Sequence, residues 1–201
     1  GDADDLGALA MLHTLIDNGE CDLLAVMSWS TESKVIPAID AVNRYYGHPD
    51  IPLGIRQADE WQVDEWNYNH PIAEQFPYEL TNDDVMDATS LYRKILASHP
   101  DKSIVIVTVG PLANIQNLIQ SEADEYSELS GKALIEKKVK EFVVMGGKFP
   151  EGKGEWNFDG RMKGVTKYVF EHLTVPVVFS GFEIGVRIKT GEIFNRIDKN
   201  T

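Results

Sequence analysis

The chain has 201 residues, 43% hydrophobic and 25% charged, which suits one domain with a core of its own and excludes a disordered chain. Its formal net charge of -13 disfavours nucleic acid and polyphosphates as partners, and its one basic stretch, Glu136-Lys137-Lys138-Val139-Lys140-Glu141, is flanked by acids and reads as a solvated helix end. No apolar run is long enough to span a bilayer and no amino-terminal signal pattern is visible, so a membrane partner is not expected.

In chain order, Ala8, Leu9, Leu12, Leu15 and Ile16 recur at helical spacing until Asn18-Gly19. The single cysteine, Cys21, excludes an internal disulfide and, beside Leu23, Leu24 and Val26, is expected to be buried and inert. A disulfide-free chain suits the cytoplasm or a periplasm. Residues 22–28 read as a buried strand. Ile36, Ile39, Val42 and Tyr46 mark a second helix, stopped at Gly47-His48-Pro49, and residues 51–55 another short strand. Residues 57–82, rich in aromatics and prolines without a clean period, read as a long irregular loop of the kind that forms lids or packed excursions.

A helix is predicted over 88–97 and a strand over 103–109, turning at Gly110-Pro111-Leu112 into a helix over 113–119. A strand over 141–145 ends at Gly146-Gly147, and a helix over 163–172 precedes a strand over 175–179. Strands alternating with helices imply βαβ units, an α/β domain with a mostly parallel central sheet flanked by helices. In such sheets ligands bind beyond the carboxyl ends of the strands.

Two of those positions carry unusual chemistry. Asp2, Asp4 and Asp5 crowd the start of the first helix. One or two acids there compensate the helix dipole, but three repel one another, a cost that a hard cation such as Ca²⁺ removes. Downstream, Met145-Gly146-Gly147 is followed by Glu155-Trp156-Asn157. Two residues apart in an extended loop, Glu155 and Asn157 would project the same way, and a carboxylate beside an amide suits sugar hydroxyls.

Asp4-Asp5-Leu6-Gly7-Ala8-Leu9, Gly110-Pro111-Leu112-Ala113-Asn114-Ile115, Met145-Gly146-Gly147 and Glu155-Trp156-Asn157, in this order, resemble the inosine-uridine-preferring nucleoside hydrolase family. The resemblance implies a Rossmann-like fold, with a first strand before Gly1 and a carboxyl-terminal part, carrying a His-Asp pair, beyond Thr201. It also implies calcium-dependent hydrolysis of ribonucleosides to base and ribose, by a homodimer or homotetramer. Asp5 and the Val109 carbonyl match calcium ligands. Asp4 matches a residue contacting ribose and the nucleophilic water, with Asp2 as a second catalytic candidate. Met145, Glu155 and Asn157 match the ribose pocket. Two alternatives stand beside this reading: a sugar-binding homologue without turnover, because Ser28-Trp29-Ser30-Thr31 stands where the family often has an Asn and the loop from Gly147 to Glu155 is short and lacks an expected ribose-binding Asn, and another metal-dependent hydrolase built on an aspartate-rich loop, such as a phosphohydrolase.

Overall fold

The computed structural model describes residues 3–57, 68–150, 152, 154–160 and 162–189. Helix α1 (Ala3–Asp17) runs where the spacing predicts it, with Asp4 and Asp5 in its first turn, and buries Leu9 and His13. His13 anchors the helix. Its Nε2 lies 2.9 Å from Asn43 Oδ1 and its Nδ1 2.9 Å from His48 Nδ1, and its ring stacks on Tyr46. Burial pushes its pKa down, against the Asn43 hydrogen bond.

The strands form two parallel three-stranded sheets rather than the one predicted. The first joins β1 (Val26–Ser28), β2 (Leu53–Ile55) and β3 (Met86–Asp87) in that order, with Val26 opposite Leu53 and Gly54 opposite Met86. The second joins β4 (Ile104–Thr108), β5 (Val139–Met145) and β6 (Val177–Ser180). The strand predicted over 22–28 is shortened to Val26–Ser28, and Leu24, just before it, packs against the core of the second sheet. Cys21 is partly exposed rather than buried.

Helices follow their strands as βαβ units require. Helix α2 (Val35–Tyr45) connects β1 to β2, and α4 (Ala88–Ser98) leads to β4. Helices α5 (Ala113–Gln120), α6 (Gly131–Lys138) and α8 (Val165–His172) lie around the second sheet. On that sheet Ile104, Ile106, Phe142 and Val144 are buried with Leu118, Leu134, Ile135 and Val169. The residues between them alternate outward, as the two-residue strand period dictates: Val105 and Val107 are exposed. Among the described residues, no helix is long and apolar enough to cross a membrane.

The stretch read as one irregular loop is partly ordered. Residues 58–67 lie outside the described residues, but α3 (Asn69–Gln75) and a 3₁₀ turn (Asn82–Asp84) follow. Pro71 is tolerated in the first turn of α3, where its missing N–H breaks no helical hydrogen bond. The 3₁₀ turn is closed by a capping box between Thr81 and Asp84.

Candidate functional site at the carboxyl edge of the sheets

The carboxyl ends of β1 and β4 meet through one tryptophan. Trp29 follows β1, and its indole lies against Gly110, just past β4. A Cβ on Gly110 would sit 2.8 Å from Trp29 Nε1, so glycine is required there. Arg56, leaving β2, donates its Nε to the Trp29 carbonyl at 2.7 Å. Trp156 meets Trp29 edge-on, with ring centroids 5.8 Å apart. Two indoles therefore line this edge, and Trp156 is about half exposed.

The second glycine constraint comes from Phe158. A Cβ on Gly146 would fall 2.2 Å from that ring, and Gly147 adopts a left-handed φ of 75°. Gly146→Ala is expected to cost about 1–3 kcal/mol of stability, the usual range for overpacking, read as a lower urea midpoint. An unchanged midpoint would show that Phe158 moves aside freely.

Glu155, Asn157, Met145 and Val109 come together, though not as the extended loop predicted. Glu155 is the amino cap of a short helix, α7 (Trp156–Asp159), and Asn157 lies in its first turn. The cause is the Glu155 carboxylate, which turns inward. Its Oε2 accepts from Gly147 N at 2.8 Å and Phe158 N at 3.1 Å, and its Oε1 accepts from Asn157 N at 3.0 Å. Asn157 Nδ2 reaches the Met145 carbonyl at 3.2 Å, the Met145 sulfur at 3.0 Å and, at 3.4 Å, the Val109 carbonyl. One amide thus ties together the ends of β4 and β5.

Asp4 is exposed and Asp5 half-buried on the first turn of α1, and Asp2 lies outside the described residues. Among the described residues, no three His, Cys, Asp or Glu side chains group as a metal cluster. The oxygens of Asp4, Asp5 and the Val109 carbonyl are hard donors of the kind calcium takes, and the long Asn157 contact leaves Val109 O with acceptor capacity to spare. In number they fall short of the roughly six to eight oxygens that Ca²⁺ binds.

The indoles of Trp29 and Trp156 carry no motif signal in the sequence, although Trp29 directly follows β1 and Trp156 opens α7. A buried acid carries no such signal either. Glu32, 1% exposed, accepts from His70 Nε2 at 2.9 Å and from Asn69 Nδ2 at 2.9 Å. No local signal links two residues so far apart in sequence.

No known family profile matches the chain, and no curated protein does. Among solved structures, it superposes on the type III effector protein XopQ, solved in complex with adenosine diphosphate ribose, with a TM-score of 0.66 and 16% identity. The match covers 90% of this chain and 53% of XopQ, so the chain spans about half the length of that effector. The α/β fold, with parallel sheets flanked by helices, is one this chain shares with XopQ.

Proposed function

We propose that the chain is a calcium-dependent ribonucleoside hydrolase that splits the N-glycosidic bond to give free base and ribose. The observation that carries this reading is the fixed amide of Asn157, held between the Val109 carbonyl and Met145 at the carboxyl ends of β4 and β5. This is the edge at which an α/β sheet binds its ligand. The ribose-containing ligand of XopQ is in keeping with a sugar pocket at this edge.

Asp5 and the Val109 carbonyl would hold the metal. Calcium, when bound, makes a coordinated water easier to deprotonate. Asp4 would take that proton, with Asp2 as a second base, and their carboxylates would stabilise the positive charge that grows on the ribosyl carbon as the base departs. Asn157 and Met145 would hold the sugar, and Glu155 would keep Asn157 in position.

The test is to incubate the full chain with inosine, uridine and a phosphate ester, each with calcium and with chelator. Release of free ribose that chelator abolishes is expected, and Asp5→Ala should abolish it as well. Phosphate release instead would assign a phosphohydrolase. Ligand binding without product would assign a sugar-binding protein.

A further inference from the structure

We infer that His13 and His48 form a proton-sharing clasp that holds α1 against the end of α2 at neutral pH and lets it go in mild acid. The clasp is built by the way α2 ends. Gly47 adopts a left-handed φ of 81°. Its N–H donates to the Arg44 carbonyl at 3.0 Å, and the His48 N–H donates to the Asn43 carbonyl at 2.9 Å. This is the glycine-terminated helix end of the Schellman motif. It carries His48 back beside Asn43, and both side chains reach the same ring, that of His13 on α1.

The two imidazoles meet nitrogen to nitrogen. Their Nδ1 atoms are 2.9 Å apart, the ring planes lie within 17° of each other, and the centroids are 5.1 Å apart. The centroid separation exceeds the nitrogen separation by about one ring width, so the rings lie end to end and the two nitrogens point at each other. Such a contact holds a single proton: one Nδ1 donates and the other accepts. The string continues at both ends. His13 Nε2 lies 2.9 Å from Asn43 Oδ1, and His48 Nε2 lies 3.2 Å from Oδ1 of Asp17, the last residue of α1. It therefore leaves α1 at His13, crosses the end of α2 and returns to α1 at Asp17.

A second proton breaks the string. With both rings protonated, all four nitrogens carry hydrogen, and two Nδ1 donors of like charge face each other. His13 is 0% exposed and Tyr46 stacks on its ring, so the ring has no water to turn to while α1 stays in place. Burial is the largest cause holding its pKa down; His48 adds to that, while the Asn43 hydrogen bond and the charge of Asp17 oppose it. Arg44, on the same helix end, is turned to Asp40 and Glu79. Leu9 and His13 are the two buried side chains of α1, so the ring is a main part of what seats the helix. Release also shifts the first turn, which carries Asp4 and Asp5.

The sign follows from the direction of the shift. In the released helix the ring takes its proton at the ordinary value of 6.5, and in the clasp below it. Seating is therefore complete above that value and weakens as pH falls beneath it. The test follows amide hydrogen exchange of the full chain at about pH 7.5 and about pH 5.5, corrected for the intrinsic rate, on peptides from α1 and from β4 and β5. Protection of α1 should fall about tenfold across that step, while β4 and β5 change less than about twofold. His48→Asn sets a neutral carboxamide where Nδ1 stands, able to donate to His13 or accept from it. Its α1 should stay protected at the higher pH and lose less than about threefold in acid. The ring NMR signals of His13 and His48 give a check that needs no variant: the second protonation of the pair should coincide with the loss of α1 protection. Equal protection of α1 at both pH values, the same loss in His48→Asn as in wild type, an equal loss across β4 and β5, or a doubly protonated pair with α1 still in place would each overturn the clasp.

Discussion

Arg93→Met is expected to lower the unfolding free energy by about 1–3 kcal/mol, the scale of leaving buried hydrogen-bonding groups without their partner. Arg93, on α4, is 2% exposed. Its Nε donates to Asp124 Oδ2 at 2.6 Å and its Nη1 to Ser121 Oγ at 2.9 Å. Its Nη2 donates to Asp124 Oδ1 and to the carbonyls of Ser127 and Leu129. The planar fork therefore ties the whole connection between α5 and α6 onto α4, a geometry the point charge of lysine does not reproduce. Methionine keeps much of the volume but leaves the carbonyls of Ser127 and Leu129 without their donor, while the partly exposed Asp124 keeps the N–H groups of Tyr126 and Ser127.

The same pair sets a pH dependence. The Arg93 hydrogen bond is the largest cause holding the Asp124 carboxyl below the usual carboxylate range, helped by the N–H groups of Ser127 and Tyr126 and opposed by burial. A group whose folded pKa is depressed adds stability above its unfolded value and loses it as pH falls through the folded one. The gap between wild type and Arg93→Met in urea unfolding should thus be full at neutral pH and narrow in strong acid. A gap that stays constant into strong acid would show that the carbonyl contacts, not Asp124, carry the stabilisation.

Arg93 also marks where sequence reading stops. The strand predicted over 103–109 appears as Ile104–Thr108, and the helix over 113–119 as Ala113–Gln120. Both were legible because a run of β-branched residues, then a Gly-Pro turn, then apolar residues at helical spacing are local signals. An arginine within a helix reads locally as a solvated residue, and its burial depends on acceptors that arrive from the loop between α5 and α6, more than twenty residues on. The division into two sheets was illegible for a related reason. The strands of the first are three, three and two residues long, too short for periodicity to register. At the candidate site, the family resemblance grouped Asn157, Met145 and Val109, and the Asn157 amide is what joins them, from α7 back to the ends of β4 and β5. The direction of Glu155 was not, because it depends on the Gly147 amide across a turn.

That direction makes Glu155 the residue whose loss should be felt in both fold and site. Glu155→Ala removes the acceptor for Gly147 N, Asn157 N and Phe158 N together. Each is a hydrogen bond to a charged group, and buried donors left without a partner are costly, so a loss of about 3 kcal/mol is expected after partial relaxation. Asn157 would then lose the cap that aims its amide at Val109 and Met145, and ribose or nucleoside affinity should fall with stability. Glu155→Gln separates the two roles. Its carboxamide offers one accepting oxygen where the carboxylate offers two, and its NH₂ would face donors, so its urea midpoint should drop by at least half as much as that of the alanine variant. If Glu155 served only the sugar hydroxyls, Glu155→Gln would weaken nucleoside binding and leave the urea midpoint unchanged. Measuring both quantities on the same two variants decides whether this carboxylate belongs to the ligand or to the turn that presents Asn157.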